Sequence, residues 1–218
     1  MPCSFALRDL SRRGVEVGIA SMAWPALTPL SQANHPPQRC VQPAGAYGFK
    51  ASHWAIRELL SRQVQGRIPP ERWELTRSSQ GQPEVAWPEP GYRVSIAYAG
   101  DISAVSVSKY RPVGIDLEAL PYCIDEDLPT YLLSGPETRL VHHDPGMFVT
   151  IWTLKEALAK EIGEGLLGDA AAIDTAAYAL APAGTLKDRP DGGAVFHDFL
   201  RLGDSDYVLA LTLGPPRG

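Results

Sequence analysis

Apolar and polar positions alternate weakly along Val15–Ser21, which predicts a β-strand. From Lys50 to Gln65 the period lengthens. Trp54, Ile56, Leu59, Leu60 and Val64 recur at roughly helical spacing, and Pro69-Pro70 marks the stop. Trp73–Thr76 predicts a short strand, and Ser79-Gln80-Gly81 a turn. Tyr92–Ala99 and Ile102–Ser108 flank Gly100-Asp101, a hairpin signal. Arg111–Glu118 follows as a third strand, and the acidic segment Asp125–Asp127 leads into a helix over Glu126–Leu133. Glu137–His142 predicts a short helix. The clearest helix runs from Pro145 to Ile162: Asp144 can cap it, Pro145 suits its first position, Phe148, Ile151, Trp152 and Leu158 supply an apolar face, and Gly163 fits the stop. Ala194–Arg201 and Asp206–Leu213 are strand-like. The alanine-rich run Ala170–Ala181 reads as packing or a loop–strand passage.

Strand–helix–strand content on both sides of residue 112 predicts an α+β fold of two subdomains, 1–112 and 113–218. The length of 218 residues allows one large domain or two of about 100 residues, and either can bury a core. Charge separates the two spans. Residues 1–112 hold 13 Lys and Arg against 8 Asp and Glu, a net of +5, whereas 113–218 hold 7 against 17, a net of −10. A basic half can attract a polyanion and an acidic half can hold a cation; on charge alone, solvated faces of opposite sign explain the split equally well. The whole chain carries −5, which argues against nucleic-acid binding driven by overall charge.

Cys3, Cys40 and Cys123 are odd in number and far apart, forming neither a disulfide framework nor a CxxC knuckle, so free thiols in a reducing compartment are expected. No apolar run reaches the roughly 18 residues a membrane span needs. Val17–Leu27 is the nearest candidate for a signal segment, but Glu16 precedes it and Pro25 breaks it, so an early strand is the better reading. The expected location is cytoplasmic.

Two segments could carry chemistry. In Val113-Gly114-Ile115-Asp116-Leu117-Glu118, strand alternation points Asp116 and Glu118 to one face. Two carboxylates so placed repel unless a cation lies between them, and Mg2+ suits them as a hard ion taking carboxylates plus substrate phosphates. Alone, such a pair is more often plain surface. In Trp152–Lys160, helical spacing puts Glu156 and Lys160 on one face, with Lys155 one residue round. Glu156 could complete a three-carboxylate site, while Lys155 and Lys160 could hold phosphate oxygens. Alone, this segment reads as an exposed ion pair worth about 0.3–0.5 kcal/mol. His142-His143 lacks a third ligand at a recognisable spacing and reads as a surface loop. There is no phosphate-binding Gly-x-x-x-x-Gly-Lys-Ser/Thr loop and no Gly-x-Ser-x-Gly elbow.

The two segments together, in this order and followed by Gly163-Glu164-Gly165, resemble the surfactin-type 4′-phosphopantetheinyl transferases. The match is strongest over Arg111–Leu166, with weaker resemblance upstream through Gly81-Gln82-Pro83 and Arg57–Gln65. The resemblance implies two pseudo-symmetric α+β halves with coenzyme A in the cleft between them. It implies transfer of phosphopantetheine from coenzyme A to a serine of an apo acyl or peptidyl carrier protein, leaving 3′,5′-adenosine bisphosphate. Asp116, Glu118 and Glu156 would hold Mg2+ against the pyrophosphate. Glu156 would be the base for the carrier serine, directly or through water, with Glu118 the competing base. Lys160 and Lys155 would stabilise the transferring phosphoryl group, and Trp152 would pack and fix the helix. Two positions depart from the pattern: Tyr98 stands where the family has a histidine that contacts coenzyme A phosphate, and Gln82 where it favours lysine. Lys50 and Arg39 are the candidates for gripping the 3′-phosphate. One chain holds both halves, so a monomer suffices for one cleft. A non-catalytic homologue that docks a carrier protein or coenzyme A is the competing expectation, motivated by Tyr98 and Gln82.

Overall fold

The computed structural model describes residues 10–21, 28–29, 46–79, 81–120, 130–163 and 170–216. Among the described residues, strands and α-helices follow in this order. β1 (Val15–Ser21), β2 (Thr28–Pro29), α1 (Ala46–Gln63), β3 (Glu74–Arg77), β4 (Pro83–Trp87), β5 (Arg93–Ala99) and β6 (Ile102–Ser108) come first. They are followed by β7 (Val113–Leu120), α2 (Gly135–His143), α3 (Met147–Ile162), α4 (Ala176–Ala179), β8 (Thr185–Asp188), β9 (Ala194–Leu202) and β10 (Ser205–Leu213).

The strands form two antiparallel sheets, one ordered β2-β1-β6-β5-β4-β3 and the other β7-β10-β9-β8. The chain passes from one sheet to the other between Ser108 and Val113. Alternation decides what each sheet buries. Val15, Val17 and Ile19 of β1, Ala97 of β5 and Ala104 of β6 face Val113, Ile115 and Leu117 of β7 and Leu209 and Leu211 of β10, all in one core. The opposite face of the first sheet, including Val94, Val105 and Val107, takes Ile56, Leu59 and Leu60 of α1. The opposite face of the second sheet, through Val195 and Ala210, takes Ile151, Leu154 and Ala157 of α3. The layers therefore run helix, sheet, sheet, helix, an α+β architecture.

Most predicted elements are present, several with shifted ends. α1 starts at Ala46 and ends at Gln63, ahead of the prolines expected to stop it. α3 begins at Met147 rather than Pro145. Asp144 caps the end of α2 instead: its N–H bonds Leu140 O, and its side chain accepts from Gly146 N–H at 3.0 Å, making the turn into α3. His142 and His143 are exposed on the last turn of α2, not in a loop. Ala170–Ala181 holds a 3-10 turn and the short helix α4. The segment Asp125–Asp127, most of the helix expected over Glu126–Leu133, and Cys3, Cys40 and Cys123 lie outside the described residues; Thr130–Leu132 is a 3-10 turn. Among the described residues no helix is long and apolar enough to cross a membrane.

Candidate active site

β7 and α3 build the site between them. Val113, Ile115 and Leu117 fill the core, so Gly114, Asp116 and Glu118 must face α3. Gly114 sets how close the helix comes. A Cβ there would lie 1.8 Å from Ala157 O and 2.6 Å from Glu161 N, so only glycine lets the helix backbone rest on the strand. On the helix, Trp152, Glu156 and Lys160 are spaced i, i+4, i+8 and form one stripe. Helix and strand run in opposite senses, and the contacts follow in order. Trp152 Nε1 donates to Glu118 Oε1 at 3.2 Å, and Lys160 Nζ reaches Asp116 Oδ1 at 2.7 Å and Ile115 O at 3.2 Å. Trp152 is also stacked on Phe148, centroids 6.4 Å apart.

Asp116 is buried at 6% exposure, and burial raises its pKa despite the opposing Lys160 charge. Glu118 is raised first by burial, then by the charges of Asp116 and Glu156, against the Trp152 hydrogen bond. Glu156 is raised by burial and by Asp116, against Lys160. The three carboxylates thus share one electrostatic neighbourhood in which negative charge is under-compensated.

Mg2+ fits this donor set as an open site. All three side chains offer hard oxygens, and Asp116 Oδ2 is buried without a hydrogen-bond partner. Among the described residues no three His, Cys, Asp or Glu side chains form a ready-made metal cage. An ion here would therefore complete its shell with water or phosphate oxygens, as magnesium does.

A cavity of about 290 Å³ opens beside the stripe, lined by Gln82, Glu84 and Ser95 of the first sheet's region and by Lys160, Glu161 and Gly163 of α3 and its cap. Lys160 belongs to both features, touching Asp116 and lining the cavity. Ser95 Oγ accepts from Ile115 N–H at 3.1 Å, tying β5 to β7 at the cavity wall. Gln82 faces Gly163, whose φ of 91° ends α3; its amide lies 3.3 Å from where a Cβ would stand.

The other residues expected at the site fare differently. Lys155 does not join it. Its side chain is fully buried, pairs with Glu137 Oε2 at 2.8 Å, and donates to Ala170 O at 2.7 Å and to Ile173 O. The expectation that it holds phosphate is corrected on that geometry: Lys155 follows Ile151 and precedes Leu158 on the buried side of α3. Glu137 was not anticipated. It also accepts from Ser134 N–H, Thr175 N–H and Thr175 Oγ1, which leaves the buried pair fully bonded. The Ser134-x-x-Glu137 capping-box spacing was the available signal. Tyr98 sits near the end of β5, half exposed, its hydroxyl 2.8 Å from Ser52 Oγ, and is not among the cavity-lining residues. Lys50 lies on α1, with its side chain outside the description, and Arg39 lies outside the described residues.

A family model, the 4′-phosphopantetheinyl transferase superfamily, matches residues 112–212, a span holding β7, α3 and all of the second sheet but Leu213. The chain is also 28% identical over 140 residues to a protein of Synechocystis sp. (strain ATCC 27184 / PCC 6803 / Kazusa) named "Putative 4'-phosphopantetheinyl transferase slr0495". That match covers 60% of this chain and 55% of the relative, so it takes in little more than half of the relative's length. Gly114–Glu118 and Trp152–Lys160, the two segments that carry the resemblance, both fall inside the span that the family model matches.

Proposed function

We propose that this protein is a surfactin-type 4′-phosphopantetheinyl transferase, moving the phosphopantetheine of coenzyme A onto a serine hydroxyl of an apo acyl or peptidyl carrier protein. One observation carries the reading: within the matched span, Asp116, Glu118, Glu156 and Lys160 share one strand–helix seam, and Lys160 also lines the cavity beside it. We assign residues 1–112 to the coenzyme A phosphate side and 113–218 to the metal side.

In the reaction, the serine oxygen forms a bond to the phosphorus carrying pantetheine. The bond from that phosphorus to the oxygen of 3′,5′-adenosine bisphosphate breaks. Asp116, Glu118 and Glu156 would hold Mg2+, which when bound would supply positive charge against the pyrophosphate oxygens. Glu156 takes the serine proton, directly or through one water; burial and the neighbouring Asp116 raise its pKa, which makes it a stronger base than an exposed glutamate. Glu118 is the competing base, held instead by the Trp152 hydrogen bond. Lys160 stabilises charge on the phosphoryl oxygens from its place between Asp116 and the cavity. Gln82 contacts the donor from the cavity wall. Tyr98 offers a neutral hydroxyl where a cationic side chain would grip harder.

Intact-mass spectrometry of a panel of apo carrier proteins, incubated with this protein, coenzyme A and Mg2+, tests the reading. A gain of one phosphopantetheine, lost on chelation, is expected. No gain on any carrier, with a control transferase active on the same panel, contradicts it. Coenzyme A binding by calorimetry in that second case would favour a non-catalytic docking protein.

A further inference from the structure

The turn joining β8 to β9, residues 189–193, does more than connect two strands. Arg189 folds back from it onto α3. Its Nη1 donates to Glu161 Oε2 at 2.8 Å, and its Nε donates to Asp191 Oδ1 at 3.1 Å, with Nη2 closing a fork on Asp191 Oδ2. The Glu161 side chain is only 4% exposed and that of Arg189 13%. The Glu161 carboxylate lies against Gly214, just beyond β10. The guanidinium lies on Gly193, where a Cβ would stand 2.9 Å from it. Asp191 Oδ1 further accepts from Gly193 N–H at 2.8 Å, so the turn is shaped around this arginine.

Two arginines from the other sheet's side hold the same hairpin. Arg13 Nη1 reaches Asp188 Oδ1 at 2.8 Å, and Arg111 Nη1 donates to Gly192 O at 3.1 Å. The hairpin is thereby fastened to the first sheet's flank and, through Arg189, to the last turn of α3. That turn carries Lys160 and walls the cavity with Glu161, Ile162 and Gly163.

We propose that Arg189 is a positioning residue: through Glu161 it fixes the last turn of α3, and with it the Lys160 ammonium, against Asp116 and the cavity wall. Its catalytic consequence rests on the transferase reading, in which Lys160 meets the phosphoryl oxygens. A planar fork bonded on two sides is needed, which lysine cannot supply.

The test compares wild type with Arg189→Met, Arg189→Lys and Glu161→Gln. Arg201→Met, which breaks the exposed Arg201–Asp206 pair, is the control. Two readouts need no substrate: the rate at which acetic anhydride acetylates Lys160, followed by peptide mass spectrometry, and amide exchange over residues 157–163. Both are expected to rise several-fold in Arg189→Met and Glu161→Gln, less in Arg189→Lys, and not in Arg201→Met. Under the transferase reading kcat falls by about tenfold to a hundredfold, the scale of a misplacement of about 1 Å, with KM for coenzyme A little changed. Unchanged acetylation and exchange in the first two variants overturn the proposal, whatever happens to kcat. If Arg189→Met does not fold, Glu161→Gln decides. Should wild type transfer nothing, the function reading fails, while acetylation and exchange still judge the positioning.

Discussion

Gly114→Ala adds a single methyl group at the seam on which the site depends. Its Cβ would meet Ala157 O at 1.8 Å, whereas ordinary contact begins at 3.4 Å. The helix must therefore retreat from the strand by about 1.6 Å, or the strand must sink by as much into a filled core. Overpacking of this kind costs about 1–3 kcal/mol. For a chain of this size, about 2–4 °C per kcal/mol puts the fall in Tm at about 2–12 °C. The effect on chemistry is larger, because Glu156 and Lys160 ride on the displaced helix while Asp116 and Glu118 stay on the strand. A shift of about 1 Å is enough to lose about a hundredfold in rate. Leu154→Ala is the informative comparison. It empties a fully buried position on the same helix and costs about 2–5 kcal/mol without pushing helix and strand apart. Transfer rates and thermal melts of both variants are the assay, run well below either Tm. Gly114→Ala is expected to lose about a hundredfold in transfer and Leu154→Ala far less. Equal losses in the two, or transfer by Gly114→Ala within twofold of wild type, would refute the reasoning.

Lys155→Met leaves Glu137 charged and buried, and is expected to cost about 3–5 kcal/mol in denaturant unfolding while the folded protein keeps its coenzyme A Kd. Unchanged stability with a weakened Kd would return Lys155 to the phosphates. His197 is buried on β9, and burial holds its pKa below 6.5. The folded state therefore binds fewer protons there, and this site costs stability as pH falls from 6.5 through the lowered folded value. His197→Gln should flatten that acid limb in a Tm–pH series; an identical limb would show that other groups control it. Tyr98→His is expected to tighten coenzyme A binding in calorimetry, and an unchanged Kd with the fold intact would remove Tyr98 from the phosphate site.

The parts of the fold visible in the sequence are those whose burial is one-sided and repeated. Val15–Ser21 and Ile102–Ser108 were placed to the residue because both cross the core of a sheet. β8, Thr185–Asp188, lies at a sheet edge with only Leu186 partly buried, so it shows no alternation to read. β4 lies inside its sheet, between β5 and β3, but with Val85 alone buried it too shows no alternation to read. Strand and helix periods put Asp116 with Glu118, and Glu156 with Lys160, each on one face, but only the family resemblance joins the two pairs into one proposed site. Lys155 was misplaced through its proximity in sequence to Glu156. One residue is about 100° round a helix, and Ile151 and Leu158 share its buried side. The Arg189–Glu161 pair spans 28 residues and has no local pattern to betray it.

Asp116→Asn asks whether the β7–α3 seam performs phosphopantetheine transfer. The substitution keeps size and shape, and the neutral side chain relieves the burial that raises this carboxyl's pKa, so the folded protein should survive it. Wild type and Asp116→Asn would be followed side by side by intact mass on one apo carrier protein with coenzyme A and Mg2+. Phosphopantetheine gain by wild type, with none by a folded Asp116→Asn, is the predicted result. Gain at equal rates by both would contradict the account.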